Sequence, residues 1–218
     1  SFKMYKKILI TGSLSKVGQE LIKLIPTDHK VYAPKSKQFD MNNIELIRKK
    51  RKFISSFDKI VLLHSVIDNK LHLQKKTSQM IKQIKVNLLS FIEICEIALK
   101  YNPSVRILIM GSESGLKGSF DIMYALTKSS LHKYVEERKI KFKNQQLICV
   151  APSTIIDGGI TLRRKDKKNI IKSINQNPKK RGIKSIEIAK VLHNILFEIT
   201  DYMSNTVLHI HGGKFSHM

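Results

Sequence analysis

Cysteine is scarce, with two residues in a chain of 218. Two thiols build neither a disulfide framework nor a four-ligand zinc site. Cys95 falls in an apolar helical pattern and Cys149 in an apolar strand pattern, so both are expected as buried thiols in a reducing cytoplasm. Long apolar runs are also lacking. A membrane-crossing helix needs about 20 mostly apolar residues, and no such stretch occurs. The basic start SFKMYKKILITG lacks the apolar core and cleavage site of a signal peptide. Acidic residues number 17 against 40 Lys+Arg, which leaves a formal charge of +23. Arginine is short too, since 33 of the 40 basic residues are Lys. Arg carries most bidentate base reading, and the Lys are spread along the whole chain beside 31 Ile. A+T-rich codons favour Lys, Ile and Asn together, so codon drift explains much of the charge. A nucleic-acid surface is the less favoured alternative.

What is present is a core-forming composition, 42% hydrophobic, with a regular alternation of short and long apolar patterns. Continuous apolar runs mark strands at Tyr5–Ile10, Val31–Ala33, Lys59–His64, Val105–Met110, Gln146–Ala151 and Thr206–Ile210, with a possible seventh at Gln38–Asp40. Helical spacing marks Ser15–Ile25, Ile44–Ser56, Ser78–Tyr101, Asp121–Lys139 and Ser185–Thr200. Pro152–Asn177 reads as looser chain. Strands alternating with helices of this length predict right-handed βαβ units. The expected fold is α/β: a single Rossmann-type, doubly wound, mostly parallel sheet of about seven strands, helices on both faces, one domain over 1–218.

The first predicted strand runs into Thr11-Gly12-Ser13-Leu14-Ser15-Lys16-Val17-Gly18. In a strand–turn–helix context, Gly12 permits a tight turn and Gly18 permits close helix packing. The helix N-terminus then presents N–H groups to a pyrophosphate. An NAD site usually places an acid at the end of the second strand. Here that strand leads into Pro34-Lys35-Ser36-Lys37, with no acid before Asp40. Lys35, Ser36 and Lys37, aided by Lys16, suit a 2′-phosphate, which favours NADP while leaving NAD possible.

Tyr124 and Lys128 stand four residues apart in a helical pattern, on one face. A phenol titrates near 10 and needs help to serve at neutral pH. A neighbouring ammonium lowers its pKa and makes it a general acid/base. Just upstream, Ser112 lies beyond a strand end in Gly-Ser-Glu-Ser-Gly, where parallel sheets bind ligands. Its hydroxyl is placed to hydrogen-bond a carbonyl oxygen, with Ser114 a lesser alternative.

Together these segments resemble the short-chain dehydrogenase/reductase family over nearly the whole chain. TGSLSKVG resembles the family's glycine loop, and FDMN the adenine-contacting Asp, here Asp40. LLHSV holds the place of Asn-Asn-Ala-Gly, VNLLS carries the long-helix Asn, here Asn87, and GSESG and YALTK resemble the catalytic segments. VAPSTI sits where the family closes its nicotinamide pocket, and NPKKRGIKSIEIAK with VLHIHGG resembles the last helix and strand. The chain departs from the pattern at Lys16, a glycine in the family; at His64-Ser65-Val66; at Pro152-Ser153 in place of Pro-Gly; and by one residue fewer between Ser112 and Tyr124.

The resemblance implies an NAD(P)-dependent oxidoreductase acting on a small-molecule carbonyl or alcohol. Tyr124 would exchange the proton and Ser112 polarise the carbonyl. Lys128 would lower the Tyr pKa and hold the nicotinamide ribose. Asn87 would help hold a proton-relay water, or bond backbone at a helix bend. Gly12, Ser13, Ser15, Lys16, Val17, Gly18, Lys35, Ser36, Asp40, His64, Ser65, Pro152 and Thr154 would contact the cofactor with Tyr124 and Lys128. A homodimer or homotetramer through the Ser78–Tyr101 and Tyr124 helices is expected. The alternatives are a nucleotide-sugar epimerase or dehydratase of the same superfamily, and a non-catalytic dinucleotide- or RNA-binding protein. Asp157-Gly158-Gly159 reads as a turn, His209-x-His211 carries only a weak metal signal, and Arg163-Arg164-Lys165 reads as a solvated basic loop or as an anion site over the substrate.

Overall fold

The computed structural model describes residues 5–68, 70 and 74–215. Six strands, β1 (Lys7–Thr11), β2 (Lys30–Tyr32), β3 (Lys59–Leu62), β4 (Arg106–Met110), β5 (Gln146–Pro152) and β6 (Thr206–Ile210), form one sheet in the order β2-β1-β3-β4-β5-β6. Every pairing is parallel. The strands read as unbroken apolar runs because both faces are covered. Alternate residues serve opposite sides. Leu9, Ile60, Ile107 and Leu147 join one core cluster, while Ile8, Val61, Leu108 and Ile148 join the other. Burying each such side chain contributes roughly 1.5–3 kcal/mol.

Helices α1 (Lys16–Leu24) and α10 (Ser185–Phe197) cover one face. The other face is covered by α2 (Ile44–Lys49), α3 (Arg51–Ser55), α5 (Ser90–Tyr101) and α7 (Ile122–Glu137). Helix α4 (Thr77–Ile84) leads into α5 through one π-helical turn, Lys85–Leu89. Short helices α6 (Ser114–Lys117), α8 (Gly159–Arg163) and α9 (Lys167–Asn175) lie beyond the strand ends.

Three expectations are corrected. The expected doubly wound parallel sheet is present, with six strands among the described residues, close to the expected seven, but Gln38–Asp40 forms no strand. Phe39 instead buries edge-on against Phe53, beside Tyr32 and Phe57. The predicted Ile44–Ser56 helix breaks at Lys50, whose φ of −87° and ψ of 20° interrupt it. The loose stretch 152–177 contains α8 and α9. Asp157 does lie in a turn, and its carboxylate accepts from Ser185 N at 2.8 Å and Ser185 Oγ at 2.9 Å at the start of α10.

The strand order reverses between β1 and β3. That switch point opens a crevice at the carboxyl ends of the strands, where such sheets take ligands.

Candidate active site

The crevice is a cleft of about 1050 Å³, walled by the turns after β1, β3, β4 and β5 and by α8 and α9. Its floor is set at the switch point. Gly12 has φ +65°, in the left-handed region that favours glycine. A Cβ there would stand 2.5 Å from His64 N, so the turn after β1 presses directly on the end of β3. At Gly18 a Cβ would stand 2.8 Å from Ser13 Cα, which brings α1 tight against the turn. Ser15 caps α1 by accepting from Gly18 N at 3.1 Å. The N-terminus of α1 therefore opens into a closely drawn glycine turn, a cradle that fits a dinucleotide pyrophosphate.

The predicted residues converge on this cleft, with two exceptions. Gly12, Ser13, Ser15, Lys16 and Val17 line it on one side, with Lys35, Ser36 and Asp40 beside them. His64, Ser65, Ser112, Tyr124, Lys128, Pro152 and Thr154 line the rest. Gly18 stays behind the turn. Asn87 is fully buried in the π turn and bonds backbone: Oδ1 accepts from Val66 N at 2.8 Å and Nδ2 donates to Val66 O at 2.7 Å. It fixes the segment after β3 rather than facing the cleft.

The departures from the family pattern have physical consequences. The Lys16 ammonium turns back along α1 to Glu20, 3.1 Å away. The His64 ring is buried between Thr11 Oγ1 at 2.6 Å and Ser90 Oγ at 2.8 Å. Burial, and then the charge of Lys128, lower its pKa to about 3, so it stays neutral. It ties β1, β3 and α5 together.

Helix α7 carries the candidate chemistry on one inward face, at four-residue spacing. Tyr124 is 9% exposed, and the hydroxyls of Ser112 and Ser65 face its phenol. Burial raises the phenol pKa against the lowering effect of those hydroxyls and of Arg164. Lys128 is 1% exposed, and its Nζ donates to Met110 O at 2.8 Å. Burial lowers its pKa to about 8. The ammonium thus lies beneath the β4 end, 5.7 Å from the Tyr124 ring centroid. Its hydrogen bond goes to the strand carbonyl, and the net shift of the Tyr124 phenol is upward because burial is the largest influence on it.

Sequence reasoning missed two supports. His132, one further step along the same stripe, accepts from Ser112 N at 3.4 Å. Burial, then His209 and Lys128, lower its pKa to about 4. Its spacing of eight from Tyr124 was the available signal. Asp121 caps α7, accepting from Tyr124 N at 3.2 Å. It also accepts from Asp68 N at 2.8 Å, from Gln83 Nε2 at 2.6 Å and from the Lys75 ammonium, in a fully buried ion pair. Burial opposes its charge, yet these donors hold its carboxyl below the ordinary range. The cap position before α7 was legible; Lys75 is 46 residues away and has no local signal.

Among the described residues no cluster of His, Cys, Asp or Glu is able to hold a metal ion, and no helix is long and apolar enough to cross a membrane. Cys95 and Cys149 are buried and unpaired, and burial pushes the Cys149 thiol up to about 12.

No protein-family model and no curated protein matches the chain. Solved structures do. A short-chain dehydrogenase family protein from Francisella tularensis subsp. tularensis SCHU S4 superposes with a TM-score of 0.82 at 18% identity, over 97% of this chain and 99% of that one. The chain has the fold of a short-chain dehydrogenase/reductase. BdcA in complex with NADPH matches with a TM-score of 0.83 at 18% identity, over 95% and 93% of the two chains. Ligand-free aldohexose dehydrogenase from Thermoplasma acidophilum matches with 0.82 at 16% identity, over 96% and 94%. The six main predicted strands all lie in the sheet of this fold, and only the possible seventh at Gln38–Asp40 does not.

Proposed function

We propose that this chain is an NAD(P)(H)-dependent oxidoreductase of the short-chain dehydrogenase/reductase type that reduces a ketone or aldehyde with NADPH. The observation that carries this reading is the meeting of Tyr124, Ser112 and Lys128 in one cleft with the Gly12 turn. The likeness to an NADPH complex of the same fold supports it.

A bound dihydronicotinamide would supply the hydride to the carbonyl carbon. Tyr124 donates its phenolic proton to the carbonyl oxygen. Burial raises the phenol pKa, so the phenol is protonated at neutral pH, and its proton transfer depends on stabilisation of the phenolate that forms. Ser112 and Ser65 hydrogen-bond the same oxygen and orient it. Lys128, partly charged near its pKa of about 8, stabilises the phenolate left behind once it leaves Met110 O, and solvent restores the proton. Lys35 and Ser36 line the cleft with no carboxylate before Asp40, which supports NADPH over NADH. A homodimer is part of the proposal.

The test is titration of the purified protein with NADPH and with NADH, followed by nicotinamide fluorescence, then a carbonyl-substrate screen. NADPH should bind at least tenfold tighter than NADH, and a Lys35→Ala/Ser36→Ala variant should erase that difference. Tyr124→Phe should lower kcat at least a hundredfold, as loss of a general acid does, with NADPH affinity unchanged. No binding of either cofactor would defeat the reading.

A further inference from the structure

The chain holds seven arginines, and six are committed to protein partners. Four hold carboxylates: Arg48 with Glu93, Arg138 with Glu96, Arg164 with Asp166 and Arg181 with Glu187. Arg51 donates to Tyr101, and Arg106 donates to the carbonyls that end α10. Arg163 is the exception: its side chain makes no ion pair, hydrogen bond or ring contact to another described residue. It lies in the cleft wall at the end of α8. Its guanidinium folds over Gly159, where a Cβ would stand 3.2 Å from Nη1, so the glycine leaves it room. One helix later, Lys172 on α9 lines the same wall and also has no partner among the described residues. Of the other cleft lysines, Lys16 and Lys117 are paired with Glu20 and Glu113 and Lys128 donates to Met110 O, while Lys35 after β2 and Lys82 on α4 have no side-chain partner among the described residues.

Two cations without a carboxylate partner thus stand on one cleft wall. An arginine fork matches a carboxylate or phosphate with two parallel hydrogen bonds. The wall also keeps its own acid occupied: Asp166 is held by Arg164, which stacks on Phe120 at 4.8 Å. Arg163 and Lys172 form no ion pair with Asp166 or with any other carboxylate of the described residues.

We propose that Arg163 and Lys172 bind an anionic group, a carboxylate or phosphate, carried by the carbonyl substrate. That the anion is carried by a substrate rests on the proposed oxidoreductase function. The other source of such a group is the cofactor's own pyrophosphate, and the experiment separates the two.

Inorganic phosphate is titrated calorimetrically into full-length protein, with and without saturating NADPH, at ionic strength held constant with KCl. Wild-type protein should bind phosphate in both states. An Arg163→Gln/Lys172→Gln variant should bind it at least tenfold more weakly. Lys165→Gln, whose lysine lies outside the cleft wall, should stay within twofold of wild type. NADPH affinity of the double variant should stay within threefold. The proposal is overturned if wild-type protein binds no phosphate, or if the double variant and wild type bind it equally. It is also overturned if NADPH affinity falls tenfold in the double variant, which would assign the pair to the cofactor. Failure of wild-type protein to bind NADPH would defeat the oxidoreductase reading instead, and the cofactor-free titration would still decide whether the anion site exists.

Discussion

Lys128 shows how one buried charge shapes both chemistry and stability. Its folded pKa is about 8 against an ordinary value of 10.5, because burial disfavours the ammonium. Between those two values the unfolded chain holds more protons than the native one, so stability rises with pH across that window. Below pH 8 the full penalty of the buried charge applies, about 3 kcal/mol at roughly 1.4 kcal/mol per unit. Lys128→Met should therefore raise the melting temperature at pH 7 and gain little at pH 10. Lys59, also lowered to about 8, remains in both proteins and cancels in the difference. Thermal melts of the two proteins at pH 6 to 10 check this. A difference that does not shrink above pH 8 would contradict it. The variant should be inactive, so stability and activity move in opposite directions at this residue. The Tyr–Lys spacing made the pair visible in the sequence. The route of the ammonium to Met110 O was not visible, since it depends on how far β4 lies from α7.

At the scale of elements, α7 is held by a node that spans the chain. Asp121 joins the helix cap, the segment after β3 through Asp68, and the α4 region through Lys75 and Gln83. Removing one partner of a buried pair leaves the other charge stranded, which costs about 3–5 kcal/mol. Lys75→Met should thus destabilise the protein by that amount in urea unfolding. Lys75→Met/Asp121→Asn should recover part of it, because the amide still caps α7 without a stranded charge. A double variant no more stable than the single one would show that the cap needs the carboxylate. Strands were legible here because they are buried on both faces and read as unbroken apolar runs. The edge beyond β2 was misread because Phe39 satisfies its burial in an aromatic cluster without strand pairing. The π turn left no trace in composition, though Asn87 within it did. Helix α8 was hidden by its five-residue length and α9 by its Lys- and Asn-rich sequence, and they carry the wall on which substrate choice is proposed to rest.

At the scale of the whole molecule, apolar surface and net charge pull association in opposite directions. Ile122 and Leu126 are 49% and 55% exposed one turn apart on α7, on the side away from Tyr124 and Lys128, and Ile81 and Leu89 are exposed along the neighbouring α4–α5 helix. A two-fold axis between two copies of this face would bury the same residues twice, as isologous dimers do. Each copy also brings a formal charge of +23. At 0.15 M salt that repulsion is screened over about 8 Å, and at 0.01 M over about 30 Å. Wild-type protein should therefore run as a dimer of 25.1 kDa chains in light scattering at 0.15 M salt or above, and shift toward monomer at low salt. Leu126→Glu should be monomeric at both, because a buried carboxylate without a partner outweighs the lost repulsion. Salt and sequence thus test separate terms. A wild-type monomer at high salt would remove the dimer from the proposal, while a Leu126→Glu dimer would move the interface to another face.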